Sequence, residues 1–271
     1  MNIKRVLTTI IGFPIVLLVF IFGNKYIIDV VAAVIAIFAM NEYIKCVSKK
    51  SKVISWISYL SVASISLIHI IPINLIKLFI IFGIPLLLLI LFLHIIISNM
   101  KINFENISYT LMGILYIFGF CIFLPLTYGI EGEISGKILV WYIILSAWGT
   151  DIFAFLIGHR FGKRKFSKVS PNKSVEGCIA GILGALLINL CFTVGVNIFL
   201  GLEISYLTVA IIVVLLSIIG QIGDFAASSI KRHFEVKDFS ELFPGHGGMI
   251  DRIDSVIFIA PFAYLLVTMF L

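Results

Sequence analysis

Nine apolar stretches, each of about 20 residues, run along this chain and leave only short polar links between them. They fall at roughly 6–22, 26–44, 54–71, 75–97, 107–127, 138–158, 176–200, 204–227 and 253–270. An α-helix of about 20 residues matches the hydrocarbon thickness of a bilayer. Within lipid the backbone must satisfy its own hydrogen bonds, which leaves helices or closed barrels. The stretches are continuous rather than alternating, which argues against an outer-membrane barrel. Of the 271 residues 61% are hydrophobic and 13% charged, too little polar surface to coat a soluble core. The expected fold class is all-α: a polytopic integral membrane protein with about nine transmembrane helices.

Charge sets the expected orientation. The net charge of +6 sits in the links between apolar runs, where membrane topology rather than nucleic-acid binding accounts for it. With a cytoplasmic N-terminus, 17 of the 20 Lys and Arg residues fall on inside segments, and only Lys25, Lys77 and Lys137 on outside turns. This places two polar loops, 159–175 and 228–252, in the cytoplasm, where soluble nucleotides are found. The first apolar run follows MNIKR and lacks a small-residue cleavage site before Asn24-Lys25, so it reads as an uncleaved first helix. Pro14, Pro85 and Pro125 lie inside apolar runs and are expected to kink helices. Cys46, Cys121, Cys178 and Cys191 show no pairing or metal spacing and read as apolar fillers. With no repeat or soluble domain in view, the chain divides into N-terminal transmembrane helices, 1–135, and a C-terminal transmembrane region, 136–271, with both polar loops.

The densest polar cluster is Ser228 to Asp254, SSIKRHFEVKDFSELFPGHGGMIDRID. Just upstream, Gln221, Asp224, Ser228 and Lys231 recur at helical spacing and fall on one stripe. An Asp near the end of a membrane helix costs about 2–3 kcal/mol on insertion scales, so Asp224 must face other helices or water. A polar staple between helices would also explain it. Phe243-Pro-Gly-His-Gly-Gly248 breaks regular helix. Its glycines allow close backbone approach, and the following helix start favours anions; a flexible turn is the plainer alternative. Asp251 and Asp254 share a helix face and are either capping acids or part of an oxygen site. Carboxylates near many cations suit Mg²⁺, which typically takes one or two carboxylates plus substrate phosphates. The five His residues show no zinc spacing, and only His246, inside the Gly loop, stands out.

The second loop holds Arg160, Lys163, Arg164, Lys165, Lys168 and Lys173, suited to anionic headgroups or phosphates. Gly158 to Lys163 departs from a P-loop, being one residue short with Arg164 where Ser or Thr is required. Ser170-Pro-Asn-Lys-Ser174 offers phosphate donors on a proline-stiffened turn.

At this point the residues resemble a known family. The run S-x-I-K-R-x4-K-D-x-S-x2-F-P-x-H-G-G-M-x-D-R-I-D, Ser228 to Asp254, looks like the signature of the phosphatidate cytidylyltransferases, or CDP-diacylglycerol synthases. Gln221-x-Gly223-Asp224, Asp151, Gly158–Lys163 and Ser170–Gly177 also fit. Val175 stands where Trp is usual, Ser174 replaces Thr, and the Gly-Ala usual after Asp151 is missing. The motifs cover about 140–271; the first five helices match only in general character.

The resemblance implies CMP transfer from CTP to phosphatidic acid, giving CDP-diacylglycerol and pyrophosphate, with Mg²⁺ and with or without a second cation. It implies Asp224 and Asp251 as metal ligands with Asp254 in support. Lys231, Arg232, Lys237 and Arg252 would neutralise phosphates, and Asp238 and His246 complete the catalytic set. Ser170, Lys173, Ser228, Gly245, Gly247 and Gly248 would bind substrate. A bacterial inner membrane, a cytoplasmic active site, the lipid bilayer as partner and a homodimer also follow from it. A CDP-alcohol phosphotransferase would need an Asp-Gly-x2-Ala-Arg pattern that this chain lacks. A transporter would use Asp29, Asp151 and Asp224 as an intramembrane relay, yet most acids lie near the cytoplasmic edge.

Overall fold

The computed structural model describes residues 14, 16–167, 170, 171, 173–243, 245 and 247–270. Regular structure among them is helical. The helices used below are α1 (Lys25–Val47), α2 (Ser55–Ala63), α3 (Ile73–Ile97), α4 (Phe104–Tyr128), α5 (Gly136–Phe161), α6 (Val175–Leu200), α7 (Tyr206–His233) and α8 (Ile250–Phe270). Of these, α1, α4, α5, α6, α7 and α8 are long and apolar enough to cross a membrane, six such helices among the described residues. The chain is a multi-pass helical membrane protein. The expected first span, 6–22, lies largely outside the described residues, though 16–22 are helical.

The run expected at 54–71 is not one helix. It breaks into α2 and a 3-10 turn, Ser64–Leu67. The Ser58, Ser61, Ser64 and Ser66 hydroxyls each donate to a carbonyl three or four residues back. Such back-bonding competes with the helical ladder and bends it. Helix α4 is also interrupted, by a π turn at Ile114–Phe118.

The described residues form two compact units. One holds the chain up to Pro125 together with Asp238–Ile250; the other holds Leu126–Lys237 and Asp251 onward. In the first, the fully buried Asp29 of α1 accepts from the His69 backbone N–H at 3.1 Å and lies 2.7 Å from His69 Nδ1. In the second, a polar seam joins α5, α6 and α7. Tyr142 and Thr193 hydroxyls meet at 2.9 Å, Thr150 and Ser217 at 2.6 Å, and Asn189 donates to Ser146 at 3.3 Å. Hydrogen bonds of this kind contribute roughly 0.6 kcal/mol each between membrane helices.

Candidate active site

Helix α7 continues to His233, so the stretch expected as loop from 228 is helical for its first six residues. Cations are favoured at a helix C-terminus, and Lys231, Arg232 and His233 occupy that last turn. Asp224, buried Ser228 and Lys231 therefore stand on successive turns of one helix.

Two lysine–aspartate pairs organise this unit. Lys173 Nζ donates to Asp224 Oδ2, both side chains about a quarter exposed. Lys231 Nζ donates to Asp251 Oδ1 at 2.6 Å, with the side chains 13% and 6% exposed. The Lys173 ammonium also sits 4.5 Å from the centre of the Phe225 ring, which stacks on Phe166 at 4.9 Å. The Phe225 ring, itself braced by Phe166, thus holds the Lys173 ammonium against α7.

The two ends of the loop that presents Lys173 pair with each other. Phe166 N–H donates to the Lys173 carbonyl at 3.0 Å, and Val175 N–H to the Arg164 carbonyl at 2.9 Å. Ser174 caps α6, its Oγ accepting from Gly177 N–H at 3.1 Å. Glu176 accepts the backbone N–H groups of Lys163 and Arg164. Between these ends the Ser170 carbonyl accepts from Lys173 N–H at 3.1 Å.

The first turn of α8 carries Asp251, Arg252 and Asp254. Asp254 is buried and accepts the Ser255 N–H at 2.8 Å. It lies within electrostatic reach of Asp224, Asp151 and Lys231. Asp151 of α5 is likewise within reach of Asp224, Lys173 and Arg252. This approach depends on Gly223. A Cβ there would stand 2.7 Å from the Asp254 carbonyl oxygen and 2.8 Å from Phe258 Cβ. Gly223→Ala is expected to destabilise the protein by about 1–3 kcal/mol, since α7 and α8 must separate. Its thermal midpoint in detergent checks this, and an unchanged midpoint would contradict the close approach.

The carboxylates are the hard oxygen donors that Mg²⁺ prefers. Among the described residues, however, no three Asp, Glu, His or Cys side chains converge on one ion position. Asp224 and Asp251 are each closed by a lysine. This donor set fits an ion that keeps one or two carboxylates and takes its other ligands from substrate phosphates, as Mg²⁺ commonly does. Asp224, Asp251 and Asp254 are the carboxylates this unit offers for such an ion.

The Gly loop belongs to the other unit. Gly245 and Gly247 adopt φ values of +79° and +81°, which glycine reaches without strain. Phe243 N–H donates to the Gly247 carbonyl at 3.0 Å and closes the loop. At its end sits a residue that the sequence reading missed. Glu42 of α1 accepts from Met249 N–H at 2.7 Å, Ile250 N–H at 2.9 Å and Ser240 Oγ at 2.6 Å. The start of α8, expected to favour a substrate anion, thus holds a carboxylate of the chain itself.

Arg232, Lys237, Asp238 and Arg252 are exposed, and no ion pair links them to another described residue. Gly245 is exposed and Gly248 buried. His246 lies outside the described residues. Asp151 was legible through its motif and as a member of the alternative transporter relay, and had no role in the expected CMP transfer. Its signal, and that of Glu42, was an acid inside or at the edge of an apolar run.

Helical spans, with lysines and aspartates paired at helix ends, define a class: a multi-pass helical membrane protein with a charged site. Residues 3–270 match the cytidylyltransferase family, and the chain belongs to it. Among its relatives, phosphatidate cytidylyltransferase of Bacillus subtilis (strain 168) is 36% identical over 187 residues, 68% of this chain and 66% of the relative. Proteins of the same name from Staphylococcus saprophyticus and Staphylococcus aureus (strain COL) are 35% and 34% identical over 179 and 181 residues. Those two alignments cover 65% and 64% of both this chain and the relative. The chain thus spans just under two thirds of the length of the curated relatives it matches.

Proposed function

We propose that this protein transfers CMP from CTP to phosphatidic acid, giving CDP-diacylglycerol and pyrophosphate. The observation that carries the reading is the double pairing Lys173–Asp224 and Lys231–Asp251, with Asp254 and Asp151 in electrostatic reach of Asp224. Family membership and the names of the relatives support the same reaction.

An oxygen of the lipid phosphate attacks the α-phosphorus of CTP. A new P–O bond forms, the bond from the α-phosphorus to the oxygen bridging toward the β-phosphate breaks, and pyrophosphate leaves with that electron pair. No protein nucleophile is required. The difficulty is bringing two polyanions together, so positioning and charge neutralisation do the catalysis. Lys173 and Lys231 neutralise phosphate oxygens as substrates loosen their hold on the two aspartates. Arg232, Lys237 and Arg252 add positive charge, and Ser170, Ser228, Gly245, Gly247 and Gly248 donate to phosphate. Mg²⁺, held by Asp224 and Asp251 with Asp254 in support, would supply neutralisation of phosphate charge and of the leaving pyrophosphate. Asp251 orients Lys231.

The finer topology belongs to the same proposal: nine spans, a cytoplasmic N-terminus, loops facing the cytoplasm of a bacterial cell, and a homodimer in the inner membrane. The test is turnover by purified protein in detergent with phosphatidic acid, Mg²⁺ and labelled CTP. The expected products are CDP-diacylglycerol and pyrophosphate in equal amounts. Absence of both with CTP and with dCTP, from folded protein, overturns the reading.

A further inference from the structure

We infer that Glu42 is the positioning residue of the glycine loop, a latch that sets the loop's shape for the nucleotidyl transfer. The inference rests on the function proposed above and deepens it, because no motif assigns this residue. Glu42 lies near the end of α1 and is only 3% exposed. A carboxylate in such a place must find donors. It finds three, all from the segment around the loop: the Ser240 hydroxyl and the N–H groups of Met249 and Ile250. No cation among the described residues pairs with it. Backbone amides and the N-terminal end of α8 therefore hold its charge.

The latch also assigns different duties to the three glycines. A Cβ on Gly248 would stand 2.4 Å from Glu42 Oε2 and 2.7 Å from both Cδ and Oε1. Gly248 is glycine because the carboxylate lies against it. Gly245 and Gly247 are glycine because of their positive φ. Gly248 to Ile250 therefore serves as the anchor, and Gly245 and Gly247 supply the turns of the loop. The helix that starts at this anchor carries Asp251, Arg252 and Asp254 in its first turn.

The test compares the full-length wild type with Glu42→Gln, a substitution of equal size whose amide presents N–H where an acceptor is needed. Hydrogen exchange of peptides covering 240–250 is read first, then KM and kcat for CTP and phosphatidic acid. Exchange in that segment is expected to rise about tenfold, with KM for CTP up about tenfold and kcat less affected, the loss of one charge-assisted hydrogen bond. Ser240→Ala, a milder variant, moves both readouts the same way by a few fold and decides the matter if Glu42→Gln does not fold. A geometric check follows from Gly248→Ala. It is expected to be harmful in the wild type and to add nothing to Glu42→Ala, where the space is free.

Unchanged exchange overturns the latch. Faster exchange with unchanged KM and kcat leaves only a structural tie and overturns the positioning role. An equal Gly248→Ala penalty in both backgrounds overturns the contact. A wild type that makes no product from CTP refutes the proposed function, and with it the role in that reaction. The exchange result then still decides whether the latch exists.

Discussion

Asp224→Asn is expected to lower CTP turnover on phosphatidic acid by about two to three orders of magnitude, the scale on which a single preorganised electrostatic group acts. The substitution keeps size and shape and removes only the charge. Lys173 then loses its partner, and the site loses a carboxylate that would hold Mg²⁺. Stability is expected to change little, because two effects oppose each other. The ion pair with Lys173 is lost, but so is the repulsion that Asp224 exerts on Asp151 and Asp254. Steady-state kinetics beside a thermal melt in detergent test both halves. A folded Asp224→Asn protein with wild-type turnover removes Asp224 from the site. A variant that unfolds shows instead that the Lys173 pair dominates the balance.

Lys231→Met is expected to do the reverse, with the larger effect on stability. It removes the ammonium 2.6 Å from Asp251, whose side chain is only 6% exposed. Breaking one side of a buried pair typically costs about 3–5 kcal/mol. Replacing both partners removes the buried charge as well. The double variant Lys231→Met/Asp251→Asn is therefore expected to regain most of the lost stability while staying inactive. Detergent melts of the single and double variants measure this. A Lys231→Met protein as stable as the wild type would mean that Asp251 reaches water, and the pair would then be a surface contact.

How far such residues could be read in advance varied with the kind of question. The runs at 138–158 and 176–200 became α5 and α6 with ends shifted by at most three residues, because hydropathy over a bilayer's depth is a local property. The run at 204–227 fell six residues short of the true end of α7. Hydropathy marks where lipid stops, whereas a helix continues while its polar side chains find partners and its last carbonyls find cations. The break after α2 was missed because serine counted only as mildly polar, and not as a competitor for helical carbonyls.

The sequence by itself determined that this is a helical membrane chain, that it carries the cytidylyltransferase signature, and that Asp224, Lys231, Asp251 and Asp254 are functional candidates. Charge near lipid is costly, so each of these residues announced itself singly. Only the tertiary structure decided the partners: Lys173 with Asp224 across 51 positions, Lys231 with Asp251 across 20, and Glu42 with Met249 across 207. The physical reason is that the cost of a charge in a membrane belongs to one residue and its neighbours in the chain. Its compensation belongs to whichever donor or counter-charge the packed helices bring within about 3 Å, and no periodicity in the chain encodes that.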